Sequence, residues 1–179
     1  PHLHRETDSV RRSAYDARIA RRTPRHIKFL LKTFTPLTDL LAKYMRPSPE
    51  DLQDRTFFEQ STTLMLYTIA VAISQIANND KIGQFSASHI VDGEIGFGIK
   101  DGPAVTIRAK NGRLVTIKKR CENPRAEMEF ASMDLARDLF DGKINAVACI
   151  GMGAITMKGM ISMIDNMNRL LDRVALYLA

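Results

Sequence analysis

Tryptophan is absent from the 179 residues, and aromatic side chains make up only 7% of them. Single-stranded nucleic acid is gripped by cations interleaved with stacking rings. The basic stretch here offers only Tyr15 and Phe29 for stacking and no recognisable module, so nucleic acid is not an expected partner. Cysteine is nearly absent too. Cys121 and Cys149 form no CxxC pair and no disulfide framework, which points to free thiols in a reducing compartment and hence a cytoplasmic location. No long hydrophobic run exists. The longest, Leu64 to Ala77, is broken by Thr68, Ser74 and Gln75, and it falls short of the roughly 20 residues a membrane-spanning helix needs. No secretory signal is expected, since residues 1–32 are charged and hold no apolar h-region. A chain that begins at Pro1 without Met reads as a processed or trimmed product.

The motifs of catalysis are missing as well. His2, His4, His26 and His89 are the only histidines, and none stands in a HExxH-type spacing that would put two ligands on one helix face. There is no Walker A motif and no GxSxG elbow. The glycines Gly93, Gly96 and Gly98 do not join a strand to a helix, so they do not build a phosphate cradle. Cys149 sits among aliphatic residues and reads as packing. Glu127 and Glu129 alternate with apolar neighbours and read as the solvent face of a strand. No catalytic residue, metal site or cofactor is expected, and the chain is not expected to be an enzyme.

What is present is uneven. Residues 1–32 hold nine basic side chains against three acids, so the formal charge of +6 is carried by this arm. Such an arm suits an anionic membrane surface or another acidic partner, and equally a solvated helix face. Methionine is abundant at nine, giving an interior that can change shape. Glycine is missing from residues 1–82 and after Gly159, while all ten glycines lie between Gly83 and Gly159. This predicts helices, then a sheet block, then a closing helix.

Thr23-Pro24, Thr35-Pro36 and Ser48-Pro49-Glu50-Asp51 each look like a helix start with a cap residue before proline. A longer helix is expected from about Thr56 to Ala77, apolar nearly all round in its second half and so buried on most sides. Period-two alternation predicts strands at 94–100, 104–110 and 113–119, joined by the turn pairs Asp101-Gly102 and Asn111-Gly112. A fourth strand runs Ala126 to Ala131. Ser132 caps a short helix that ends before Gly142, and a second short helix covers Ile144 to Ile150. A last strand, Ala154 to Lys158, precedes a helix from Met160 almost to Ala179. Its stripe is Met160, Ile164, Met167, Leu171, Val174 and Leu178, widened by Met163 and Leu170.

The run Gly142-Lys143-Ile144-Asn145, followed by Gly153-Ala154-Ile155-Thr156-Met157-Lys158-Gly159, resembles the sterol-carrier-protein family of lipid-transfer domains. Ala131-Ser132-Met133-Asp134-Leu135 is similar to that family's strand end and helix cap. The resemblance covers residues 56–179 and is sharpest over 126–160. The chain departs from the family pattern at Ala146, near Cys149 and at Met160. Residues 1–55 lie outside it and form a basic helical N-terminal extension.

The resemblance implies an α+β fold: a five-stranded, mainly antiparallel sheet covered on one face by helices, with an apolar tunnel between the layers. The ligand it implies is a sterol, fatty acyl chain, isoprenoid or similar molecule. The residues placed to line such a tunnel are Leu66, Ile69 and Ile73 of the long helix and Phe97, Ile99, Val105, Ile107, Met128, Phe130, Ile155 and Met157 of the strands. Met160, Met163, Ile164, Met167 and Leu171 of the closing helix complete the set. A packed core uses the same residues, so a structural or homodimerisation domain, or an accessory domain of an enzyme system, stands as the competing reading.

Overall fold

Turn chemistry and alternation decide the middle of the chain. The computed structural model describes residues 29–144 and 146–178. The start at Thr23-Pro24, His2, His4, His26 and most of the basic arm therefore lie outside the described residues, as do Asn145 and the side chain of Leu178. The chain divides into two units, Pro1–Ser48 and Pro49–Ala179.

In the first unit a π-helical turn, Leu30–Phe34, runs into α1, Thr35–Met45. Thr35 was expected as a cap but is itself helical. The residue before it, Phe34, already has helical dihedrals, so no side-chain cap is made. No residue of α1 is buried.

The second unit begins at Pro49. Ser48-Pro49 starts only a single 3-10 turn, Asp51–Gln53. The chain then extends at Asp54, whose carboxylate accepts from the Thr56 and Phe57 amides and caps α2, Arg55–Asn79. This 25-residue helix is not buried all round. Phe58, Ser61, Thr62, Met65, Leu66, Ile69, Ala70, Ile73, Ser74, Ile76 and Ala77 face inward, while Val71 and Gln75 face out. A further helix, α3, Lys81–Ser88, occupies the place where Gly83 suggested the start of the sheet block. Gly83 is there for closeness: a Cβ on it would strike the carbonyl of Ile76. Asp80 caps α3 by accepting from the Gly83 amide at 2.8 Å.

The strands are β1, Gly93–Ile99, β2, Ala104–Lys110, β3, Arg113–Ile117, β4, Ala126–Phe130, and β5, Ile155–Gly159. They form one sheet in the order β3-β2-β1-β4-β5. All neighbours are antiparallel except the β1–β4 pair. Asn111 (φ 51°) and Gly112 (φ 70°) make the two-residue turn between the paired Lys110 and Arg113. Asp101 takes φ 54° in the β1–β2 connection.

β3 ends at Ile117 rather than at 119 because the chain leaves the sheet edge there and crosses the outer face to reach β4. On the way Thr106 Oγ1 donates to the Lys119 carbonyl at 2.7 Å and Arg120 Nη2 to the Ile99 carbonyl at 2.6 Å. This crossover makes β4 parallel to β1.

Ser132 caps α4, Met133–Phe140, by accepting from the Leu135 amide. Gly142 (φ 70°) then reverses the chain. The second short helix, α5, is Ala146–Gly151, so Ile144 precedes it. The closing helix, α6, spans Ile161–Leu178.

Register places Ile95, Phe97 and Ile99 beside Ile107, Val105, Ala126, Met128 and Phe130, all on one face. Helices α2 and α6 cover that face, giving an α+β architecture. Polar ties hold α2 to the sheet. The Asn78 amide bonds both backbone groups of Leu114, and Thr116 Oγ1 donates to the Ala70 carbonyl. No helix among the described residues is long and apolar enough to cross a membrane.

Candidate functional site

Helix α6 owes its position to a stripe of large apolar side chains. Met163, Met167, Leu170 and Val174 are at its buried centre, with Ile164 buried beside them. Met160, expected to open the stripe, precedes the helix, and both it and Leu171 are half-buried against the cluster. Beneath it the sheet presents Met128 next to its register partner Met157. Phe97 meets Phe130 edge-on with ring centroids 5.5 Å apart, and Phe130 meets Phe140 the same way.

Thirteen of the sixteen residues proposed to line a ligand site belong to one buried cluster between helices and sheet: Leu66, Ile69, Ile73, Phe97, Ile99, Val105, Ile107, Met128, Phe130, Ile155, Met163, Ile164 and Met167. Met157, Met160 and Leu171 pack against its edge. Leu66, Ile73, Ile107, Met163 and Met167 each expose 0% of their surface. A side chain that borders a water-sized void keeps some surface, whether the void is open or enclosed. These five therefore border none, and the layer is packed shut around them.

The outer face of the sheet is polar and partly roofed by residues 118–125. Glu94 accepts from Arg108 at 2.7 Å and from the Cys121 thiol at 3.1 Å. Burial, followed by the Glu94 contact, pushes the Cys121 thiol up, so it stays protonated and is a poor nucleophile. The bond from Cys121, then that from Arg108, holds the Glu94 carboxyl below its ordinary range. Glu129 was expected to face solvent. It lies on the outer face but is half-buried, because Arg120 on the crossover pairs with it at 3.0 Å. Glu127, on the same face, is half-buried as well. Among the described residues no group of three or more His, Cys, Asp or Glu side chains is placed to hold a metal ion.

A feature that sequence reading missed lies where α2, α3 and α6 meet. Asp80 Oδ2 accepts from Arg173 Nη2 at 2.8 Å and from the Tyr177 hydroxyl at 2.9 Å. With the Gly83 amide as the largest influence and Arg173 and Tyr177 next, the Asp80 carboxyl is lowered to about 2. Beside this cluster is a groove of about 730 Å³, whose lining includes Ala72, Ile76, Ile82 and Tyr177. The partners are 93 and 97 positions apart, so no local spacing signals them.

No protein-family model matches the chain, and no curated protein sequence matches it. Solved structures similar to it include sterol carrier protein domains. The sterol carrier protein domain 2 of Helicoverpa armigera is 20% identical, with a TM-score of 0.48 over 62% of this chain and 88% of that one. A UbiJ ubiquinone synthesis protein is 14% identical, with a TM-score of 0.47 over 61% and 94%. A crystal structure of sterol carrier protein 2 gives 13%, 0.45, 59% and 92%.

Proposed function

We propose that the chain binds a lipid or another apolar small molecule, such as a sterol, a fatty acyl chain or an isoprenoid, between α6 and the sheet. It carries or presents the molecule without reacting it. The observation that supports this reading is the methionine seam. Met163 and Met167 of α6 and Met128 of β4 are buried in one cluster, and Met157 lies against its edge. Thioether side chains have several low-energy shapes and re-pack at little cost. The methionines and α6 can shift to admit a chain-like ligand, while the β-branched residues around them, such as Ile73 and Ile107, hold the rest of the layer in place. Residues 56–179 act as the ligand-binding part. The basic N-terminal arm reaches anionic membrane surfaces, and the protein works in the cytoplasm.

Native mass spectrometry of the purified protein, with fluorescent fatty-acid displacement, tests the reading. A retained apolar adduct, or saturable binding of a fatty acid, sterol or quinone, is the expected result. Absence of both across all three classes removes it. A second reading is a structural, dimerisation or enzyme-accessory domain with a filled core. It is favoured by the complete burial of Leu66, Ile73, Ile107, Met163 and Met167, and a negative result in those two assays would select it.

A further inference from the structure

The two edges of the sheet are finished differently. At β3 the edge is sealed from within the chain, because the Asn78 side chain bonds both backbone groups of Leu114. β5 is the opposite edge. Its even-numbered residues face β4: the Ala154 carbonyl accepts from the Ala131 amide, and the Met160 amide donates to the Arg125 carbonyl. Alternation then turns the N–H and C=O groups of Ile155, Met157 and Gly159 outward. None of these groups has a hydrogen-bond partner among the described residues. An unpaired row of this kind is a template for a further strand.

Exposed apolar side chains flank the strand at both ends. Met152, just before β5, exposes 75% of its surface, and Ile161, just after it, exposes 80%. These are the two highest values for large apolar residues among the described residues. Between them Met157 is half-buried at the open edge.

We infer that β5 pairs antiparallel with β5 of a second copy of this chain, about a two-fold axis at Met157. This register uses every outward residue: Met157 faces Met157, and Ile155 faces the partner's Gly159. On the outer face each Lys158 meets the partner's Thr156, so the two lysines are not directly opposed. Continued past the strand ends, the same register brings Met152 of one copy to the partner's Ile161. The two most exposed apolar side chains therefore cover each other twice, as an isologous contact requires. An unrelated peptide could meet the backbone row, but the strand's own ends match each other. The pairing makes one continuous sheet from two and sets the two apolar layers side by side at Met157. The inference does not rest on the carrier reading.

Sedimentation velocity of the full chain, in a concentration series into the high micromolar range, reads the assembly. A species of twice the 20.1 kDa chain mass is expected. Met152→Lys and Ile161→Glu each set a charge against an apolar partner, and each should weaken the dimer at least tenfold. Both positions are exposed, so circular dichroism should report an unchanged fold. The double variant Met152→Lys/Ile161→Glu sets opposite charges against each other in this register, and its dimer should recover to within threefold of wild type. A monomer at every concentration overturns the proposal. So does a dimer that both single variants leave intact, which puts the contact elsewhere. A double variant no better than the singles overturns the antiparallel register.

Discussion

Met167→Ala separates a packed seam from a pocket wall. Met167 exposes none of its surface and belongs to the cluster formed by α2, α6 and the sheet. The substitution removes three heavy atoms beyond Cβ. At about 0.8 kcal/mol per buried methylene, the lost transfer energy is about 2 kcal/mol. The residual cavity adds about 24 cal/mol per Å³, so a void of about 50 Å³ contributes roughly 1 kcal/mol more. The expected loss is therefore about 3 kcal/mol, out of a total stability of about 5–15 kcal/mol. With a urea m-value of about 2 kcal/mol/M, the midpoint should fall by about 1.5 M with unchanged slope. The half-buried Leu171→Ala serves as the comparison and should cost distinctly less. Urea melts with and without dodecanoate supply the reading. A loss under about 1 kcal/mol at Met167 would refute the closed-seam argument. A full loss with unchanged ligand affinity would refute a role for this side chain in binding.

Gly83→Ala should destabilise the protein by about 1–3 kcal/mol, because the new Cβ meets the Ile76 carbonyl; a stability gain, the usual result of Gly→Ala within a helix, would contradict the close approach of α3 to α2. The folded-state carboxyl of Asp80 lies at about 2, below its ordinary 3.8, so its stabilising contribution is complete above about pH 4 and lost as pH falls toward 2. The melting temperatures of wild type and Asp80→Asn should accordingly converge between pH 5 and pH 2, and parallel curves would remove Asp80 from the account. Deleting residues 1–32, which carry nine basic side chains, should abolish sedimentation with phosphatidylserine vesicles at low salt, since each cation near such a surface contributes about 1 kcal/mol. Equal sedimentation of both chains would leave that arm a solvated segment.

Local signals explain which parts of the fold were legible. The two-residue turn expected at Asn111-Gly112 needs left-handed residues and both adopt them, whereas at Asp101-Gly102 only Asp101 does, and the connection is a three-residue loop closed by the Ile99 amide on the Pro103 carbonyl. The Ser132 cap and the Gly142 reversal read correctly for the same reason: each is decided within three or four residues. Reading failed where a local signal had a tertiary cause. Gly83 looked like a helix breaker, yet it is a helix residue kept small by the α2 backbone behind it. Ser48-Pro49 looked like a helix start, but Asp54 makes the better cap once its carboxylate reaches the Thr56 and Phe57 amides. The parallel β1–β4 pair has no turn to announce it. It follows from Thr106 and Arg120 steering residues 118–125 across the outer face.

The candidate site divides along the same line. Its apolar members could be picked from periodicity because burial of a helix stripe or a strand face repeats at fixed intervals. Periodicity says that Met163 and Met167 point inward; it carries no information on whether the space they face is occupied. That depends on the summed volumes of side chains from three layers, and in this structure those volumes leave no void at Met163, Met167 or Leu66. The polar end was invisible for a different reason. Arg173 and Tyr177 lie near one end of the chain and meet Asp80 only because α6 returns across α2 and α3. An ion pair and a hydroxyl bond between residues so far apart in sequence become a signal only once α6 has been laid against α2 and α3, whereas an apolar layer reads from pattern alone.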